Sequence, residues 1–75
     1  MGELKVYVTY IHTLDLYMIQ LFEVDENEEV LRYLEEYSTH NVHSAVNKVG
    51  DIKSRYNKVE IVSEDIAFNT HYMDK

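Results

Sequence analysis

The stretch Asp25–Ser38, DENEEVLRYLEEYS, decides the predicted fold because it separates two strand-like segments from a second helical pattern. Asp25 and Glu28 have the spacing of a capping box, in which the aspartate accepts a first-turn amide and the glutamate reaches back to the cap. The apolar residues that follow recur at helical spacing, namely Val30, Leu31, Leu34 and Tyr37. The sequence therefore predicts a helix over residues 26–38.

Two strands precede this segment. Residues 4–11 alternate with a period of two and are rich in β-branched and aromatic side chains. Residues 16–24 contain seven apolar residues of nine, and the four-residue connection before them predicts an antiparallel hairpin. Both faces of the second strand are apolar, so we expect a neighbouring element or molecule to cover each face.

A second helix and shorter elements follow. Asn41 is the expected N-cap of a helix from Val42 to Tyr56, with a turn at Gly50–Asp51 as the alternative. Residues 59–62 predict a third strand, and residues 66–72 predict a fourth, with a one-turn helix over 65–70 as the competing interpretation. We therefore expect one domain over residues 1–75 of the α+β class, a small antiparallel sheet with two helices on one face in the order ββααβ(β).

The composition excludes several classes of function. Fourteen acidic against seven basic residues give a net charge of −7, which disfavours direct binding of nucleic acid or an anionic membrane. The longest apolar run, Leu16–Ile19, has four residues, far short of the ~20 that span a bilayer. The absence of cysteine excludes disulfides and thiolate nucleophiles and indicates a reducing, cytoplasmic setting.

No catalytic or metal-binding pattern is present in the sequence. The serines lack the strand-turn-helix elbow and the glycine-rich oxyanion loop of hydrolases, and carboxylates on an exposed helix keep ordinary acidity. His40 and His43 are three residues apart, but we expect them to be capping or exposed polar side chains rather than metal ligands. The sequence therefore predicts a protein that is not an enzyme and has no cofactor or metal.

Charge is unevenly distributed along the chain. Residues 23–36 contain seven acids and one arginine, whereas residues 48–58 contain four basic residues and one aspartate. The helix dipole accounts for acids in the first turn of the predicted helix but not for Glu35 and Glu36 at its end. Solubility is one reason for such an excess, and recognition of a basic partner is another. The predicted partner-binding residues are Glu26, Glu28, Glu29, Arg32, Tyr33, Glu35 and Glu36.

In size, acidity and composition, and in the acidic segment Glu23–Glu36, the chain resembles the small acidic inhibitors that phages carry against host defence, including anti-CRISPR and anti-restriction proteins. The resemblance implies a charge-driven blocker. We therefore expect a non-catalytic acidic binding protein that blocks a basic, nucleic-acid-binding surface of a target protein.

The alternative is a structural or regulatory homo-oligomer that associates through apolar sheet surface. Tyr7, Ile11 and one apolar side of the second strand remain exposed when both helices cover the other face, and such patches usually mark interfaces. We therefore also expect a homodimer.

Overall fold

The computed structural model describes residues 2–73, which form a four-stranded sheet and two helices in the order βββαβα. The α+β class is confirmed, but the predicted order ββααβ(β) is wrong. The elements are β1 (Glu3–Ile11), β2 (Leu16–Val24), β3 (Val30–Thr39), α1 (Val42–Arg55), β4 (Val59–Ser63) and α2 (Ile66–Met73).

The sheet is mixed rather than antiparallel. Its strand order is β3-β2-β1-β4, in which β1 and β2 form an antiparallel hairpin and β3 extends the sheet as the next antiparallel strand. β4 pairs parallel to β1 because the chain crosses over through α1 before it returns to the sheet. The predicted hairpin of the first two strands is confirmed.

Both helices pack on one face of the sheet. Side chains of β1 and β2 that alternate inward meet the apolar stripe of α1, and Phe68 of α2 completes the core with no exposed surface. The fully or nearly fully buried core side chains are Val6, Val8, Tyr17, Ile19, Leu21, Ala45, Val46, Val49, Ile52 and Phe68. Burial of apolar side chains is the main stabilising contribution to such a two-layer fold.

The helix predicted over residues 26–38 is wrong, because residues 30–39 form β3. The Asp25 carboxylate caps a turn instead of a helix, since it accepts the amides of Asn27 and Glu29, each at 2.9 Å. Glu28 follows with a φ of 63°, which ends any helical path. Val, Leu and Tyr suit a strand at least as well as a helix, and pairing with β2 decides between the two.

The second predicted helix is confirmed. The Asn41 side chain accepts the amides of His43 and Ser44, as an N-cap does, and α1 continues through Gly50 without the alternative turn. The strand predicted over residues 59–62 is also confirmed.

The fourth strand predicted over residues 66–72 is wrong, because these residues lie in α2. Asp65 accepts the amide of Phe68 at 2.8 Å and so caps the start of this helix. Among residues 2–73, no helix is both long enough and apolar enough to cross a membrane.

Candidate functional site

The surface of the sheet opposite the helices is here called the open face. Every second residue of each strand points its side chain to this face, so Lys5, Tyr7 and Thr9 of β1 all lie on it. Its residues from the other strands are Leu16, Met18, Gln20 and Phe22 of β2, Tyr33, Glu36 and Ser38 of β3, and Glu60 and Val62 of β4. No helix covers this face in the described chain.

Three aromatic rings cross the centre of the open face. The ring of Tyr7 meets that of Phe22 edge-on at 5.6 Å, and Phe22 lies 5.0 Å from Tyr33 at a tilt of 35°. These contacts join β1, β2 and β3, and the three residues are here called the aromatic row. Tyr33 is 50% exposed, and Tyr7 and Phe22 are half-buried. Tyr33 is therefore the most exposed ring of the row, and Tyr7 and Phe22 each keep part of their surface open to solvent.

One end of the open face is covered by the β2–β3 loop. Lys5 is only 7% exposed because Glu28 reaches over the face to pair with it and Glu60 pairs with it at 3.2 Å. The hydrogen bond from Lys5 lowers the pKa of Glu28, and the bonds to Glu28 and Glu60 raise the pKa of Lys5. Glu28 has a left-handed backbone conformation, which is uncommon for a residue other than glycine, and its amide donates to the Asp25 carbonyl at 2.9 Å within the turn.

Several acids near the open face have no cation beside them. Glu36 accepts a 3.4 Å hydrogen bond from Gln20 and a hydrogen bond from the Tyr33 hydroxyl on that face, and Glu3 lies at the end of β1. Glu26 and Glu29 extend from the β2–β3 loop and are exposed. Within residues 2–73, none of these carboxylates is in an ion pair. The open face thus has an apolar centre and an acidic margin.

The structure separates the residues predicted as one partner-binding rod. Tyr33 and Glu36 lie together on the open face, and Glu26, Glu28 and Glu29 lie in the loop at one end of it. Arg32 and Glu35 lie on the helix-covered side, where Arg32 pairs with Glu23 at 2.7 Å. No single helical row of carboxylates exists, because the segment is a strand with alternating faces.

Glu35 is bound by several side chains of the protein itself. Both Arg55 nitrogens donate to its carboxylate, at 2.6 and 2.8 Å, and Tyr56 and Lys48 approach it at 3.0 and 3.5 Å. The Arg55 hydrogen bonds are the main reason that the pKa of Glu35 falls to about 2. This cluster ties β3 to α1 and is a structural feature, not a free acidic surface.

The two histidines considered as metal ligands have different neighbours. His40 Nδ1 lies 2.7 Å from the backbone oxygen of Asp15, and the His43 ring packs against His71 at 4.6 Å between centroids. No group of three or more His, Asp or Glu side chains within residues 2–73 is arranged to hold a metal ion.

The predicted partner-binding residues did not include Tyr7 and Phe22 of the aromatic row, although Tyr7 and one apolar side of the second strand were expected to be exposed as a homodimer surface. A signal was available, because residues 16–24 are apolar on both faces and Tyr7 has the same parity as the exposed side of its strand. Their contact with Tyr33 could not be predicted, since it depends on β3 being a strand beside β2.

Comparison with protein-family models, with curated proteins and with solved structures gives no match.

Proposed function

We propose that this protein is a non-catalytic binding protein that uses its open face to cover a basic, nucleic-acid-binding surface of a target protein. The single observation that supports this proposal best is the uncovered aromatic row, bordered by carboxylates that form no ion pair within the described part of the chain, residues 2–73.

The aromatic row has the properties of an interface centre. Binding energy at protein interfaces is concentrated in a few aromatic and arginine residues near the middle of the contact, surrounded by polar groups that exclude water. Tyr7, Phe22 and Tyr33 are adjacent, lie on paired strands and need little rearrangement to bind. A partner with a matching apolar patch would bury all three rings together.

The charges favour a basic partner over a neutral one. The cations Lys48 and Arg55 are on α1, on the other side of the sheet, and are already paired with Glu35 and Asp51. Lys5, on the open face, is held by Glu28 and Glu60. The margin of the open face therefore has a negative potential, which accelerates association with a positive surface and discourages acidic partners.

The proposed blocking role is the one implied by the compositional resemblance to small acidic anti-CRISPR and anti-restriction inhibitors. The proposed binding surface is the open face and not the helix predicted from the sequence. A nucleic-acid-binding surface combines positive charge with aromatic groups that stack on bases. Such a surface complements an aromatic row with an acidic margin. The lack of cysteine fits a cytoplasmic target.

A homodimer through the same face is the second candidate. The molecule measures 34 × 27 × 17 Å, so its broad side is comparable with the ~800 Å² that each partner buries in a standard interface. Small domains also gain much of their stability by association. The charges disfavour this homodimer, because two copies would bring their acidic margins together and these margins would repel each other.

Affinity capture from a lysate of the native cells tests the leading proposal with two matched variants. Tyr33→Ala removes an aromatic side chain from the open face, whereas Tyr37→Ala removes one from the other face of the same strand. We expect wild type and Tyr37→Ala to retain a basic nucleic-acid-binding protein and Tyr33→Ala to lose it. The purified partner should then release its nucleic acid when the wild-type protein is added.

Charge is tested in the same assay. Glu36→Gln should weaken capture, whereas Asp51→Asn on α1 should not, and capture by wild type should fall as salt rises because the attraction is screened. Equal capture by the two tyrosine variants, or a partner that keeps its nucleic acid, would refute the proposal.

A homodimer formed through apolar contact should instead become tighter as salt rises, since screening relieves the repulsion between the two acidic margins.

A further inference from the structure

A depression of about 420 Å³ lies at the opposite end of the open face from the β2–β3 loop. It exists because β4 is shorter than β1. The last parallel pair joins Val8 to Ser63, so residues 9–11 of β1 have no strand beside them on that side. The chain turns away after Ser63 to begin α2. The residues that line the depression are Tyr7, Val8, Thr9, Tyr10, His12, Val62, Glu64 and Asp65.

Two tyrosine rings form part of the wall. Tyr7 belongs to the aromatic row, and Tyr10 is fixed by a 2.5 Å hydrogen bond that it donates to Asp15. That bond raises the pKa of Tyr10 to about 12, and the phenol is neutral at physiological pH even at its ordinary pKa of 10. A neutral phenol ring attracts cations through its quadrupole and suits a flat cation best.

The depression is lined by two carboxylates, and one of them is not occupied by internal hydrogen bonds or ion pairs within residues 2–73. Asp65 is occupied, because it accepts the Phe68 amide and, at 3.4 Å, the Tyr17 hydroxyl. Glu64 is exposed and is in no ion pair within residues 2–73. Among residues 2–73, no lysine or arginine lines the depression. A ligand that fits it should therefore be positively charged.

The exposed backbone selects a guanidinium over an ammonium group. A strand segment without a neighbour presents those alternate peptide N–H and C=O groups that point away from β2. Because the Ile11 carbonyl already accepts the Leu14 amide, the free acceptor on this side of β1 comes from residue 9 or 10. A guanidinium has five N–H donors in one plane, so it can bond to a carbonyl and to the Glu64 carboxylate while it stacks on a tyrosine. An ammonium group has three donors and no flat face.

We propose that the depression receives an arginine side chain of the protein partner and so anchors that partner to the edge of the open face. Tyr7 and Val62 lie on the open face and also line the depression, which makes the two surfaces continuous. Arginine is among the residues that dominate binding energy when they fill a pocket. The inference rests on the proposed function for the source of the arginine.

The test is an NMR titration of the full chain with N-acetyl-L-argininamide, whose amide ends imitate a residue within a protein. We expect saturable shifts confined to the amides that surround the depression, including those of Thr9, Tyr10 and Glu64. The neutral citrulline analogue should bind at least ~10-fold more weakly because it lacks the charge, and the lysine analogue should also be weaker.

Two charge variants act as a matched pair. Glu64→Gln should weaken binding of N-acetyl-L-argininamide by roughly threefold to tenfold, as expected for one partly exposed charge pair, whereas Glu26→Gln in the distant β2–β3 loop should have no effect. Equal binding of the citrulline analogue, or shifts spread over the surface, would overturn the assignment. So would tighter binding of free arginine, which would indicate an amino-acid site.

The two proposals fail in different ways. If N-acetyl-L-argininamide does not bind while Tyr33→Ala still abolishes partner capture, the arginine anchor is overturned and the function of the open face stands. If capture does not depend on Tyr33, the proposed function is overturned together with the partner as the source of the arginine.

Discussion

Glu35 and Glu36 are neighbours in the sequence, yet they lie on opposite faces of β3. Glu35 opposes Leu21 on the covered face and Glu36 opposes Gln20 on the open face, because neighbouring residues of a strand point to opposite faces. Glu35 is held by Arg55, whereas Glu36 has no cation beside it. Adjacent acids of identical chemistry therefore serve different purposes, one in the fold and one on the surface.

The Glu35 cluster predicts a pH-dependent stability. The pKa of Glu35 is lowered to about 2 in the folded chain, below its ordinary 4.5, so its contribution is complete above pH 4.5 and is lost as the pH falls towards 2. Glu35→Gln should reduce the free energy of unfolding by about 1–2 kcal/mol at neutral pH, since the carboxylate is paired but still partly exposed.

Urea unfolding of both proteins across this pH range measures the effect. The difference between wild type and Glu35→Gln should shrink as the pH is lowered, and Glu36→Gln should match wild type throughout. A constant difference at all pH values would contradict the ionic origin of the stabilisation.

At the scale of elements, the helix-to-strand change over residues 30–39 shows what the sequence could and could not predict. The first hairpin, α1 and its Asn41 cap were predictable because each depends on local periodicity and capping. β3 was not, because Val30, Leu31, Leu34 and Tyr37 fit both periods and two register shifts blur the alternation of a strand. The choice is made by pairing with β2, which is a non-local interaction.

The same limits apply to the candidate site. The uncovered apolar face followed from a strand with two apolar faces, so exposure of Tyr7 was predictable. The depression beside residues 9–11 was not, because it results from the unequal lengths of two parallel strands. α2 was predicted only as the competing one-turn helix over residues 65–70, because Ile66–Met73 is a short apolar segment that fits either period.

Gly50 provides a prediction for α1. It is exposed inside the helix, and a Cβ added there meets no atom within 4 Å. Gly50→Ala should therefore stabilise the protein by about 0.5–1 kcal/mol, because alanine has less backbone freedom to lose. Thermal unfolding measures the change. A lower melting temperature for the variant would contradict a continuous helix through residue 50.

At the scale of the whole molecule, the two sides of the sheet have different roles. The helix side contains the core and the paired cations Lys48 and Arg55 of α1. The open face contains the aromatic row and Glu36, which forms no ion pair with any of residues 2–73. Exposed apolar surface bordered by polar groups often marks an interaction site. Under the proposed function, the acids around the aromatic row select a basic partner.

Sedimentation equilibrium distinguishes the two occupants of the open face before any partner is known. A face reserved for a basic partner predicts a mass near 8.9 kDa at micromolar concentration, at both about 0.05 M and about 0.5 M NaCl. A mass near twice that value that increases with salt and is abolished by Tyr33→Ala would instead establish the homodimer.

Site-specific photo-crosslinking shows which face of β3 contacts the partner protein. p-Benzoylphenylalanine replaces Tyr33 in one protein and Tyr37 in another, so the reactive groups lie on the same strand but on opposite faces. If the open face binds the partner, position 33 should give a covalent product with a basic nucleic-acid-binding protein, and position 37 should give none. Equal crosslinking from both positions, or from position 37 alone, would contradict the open face as the binding surface.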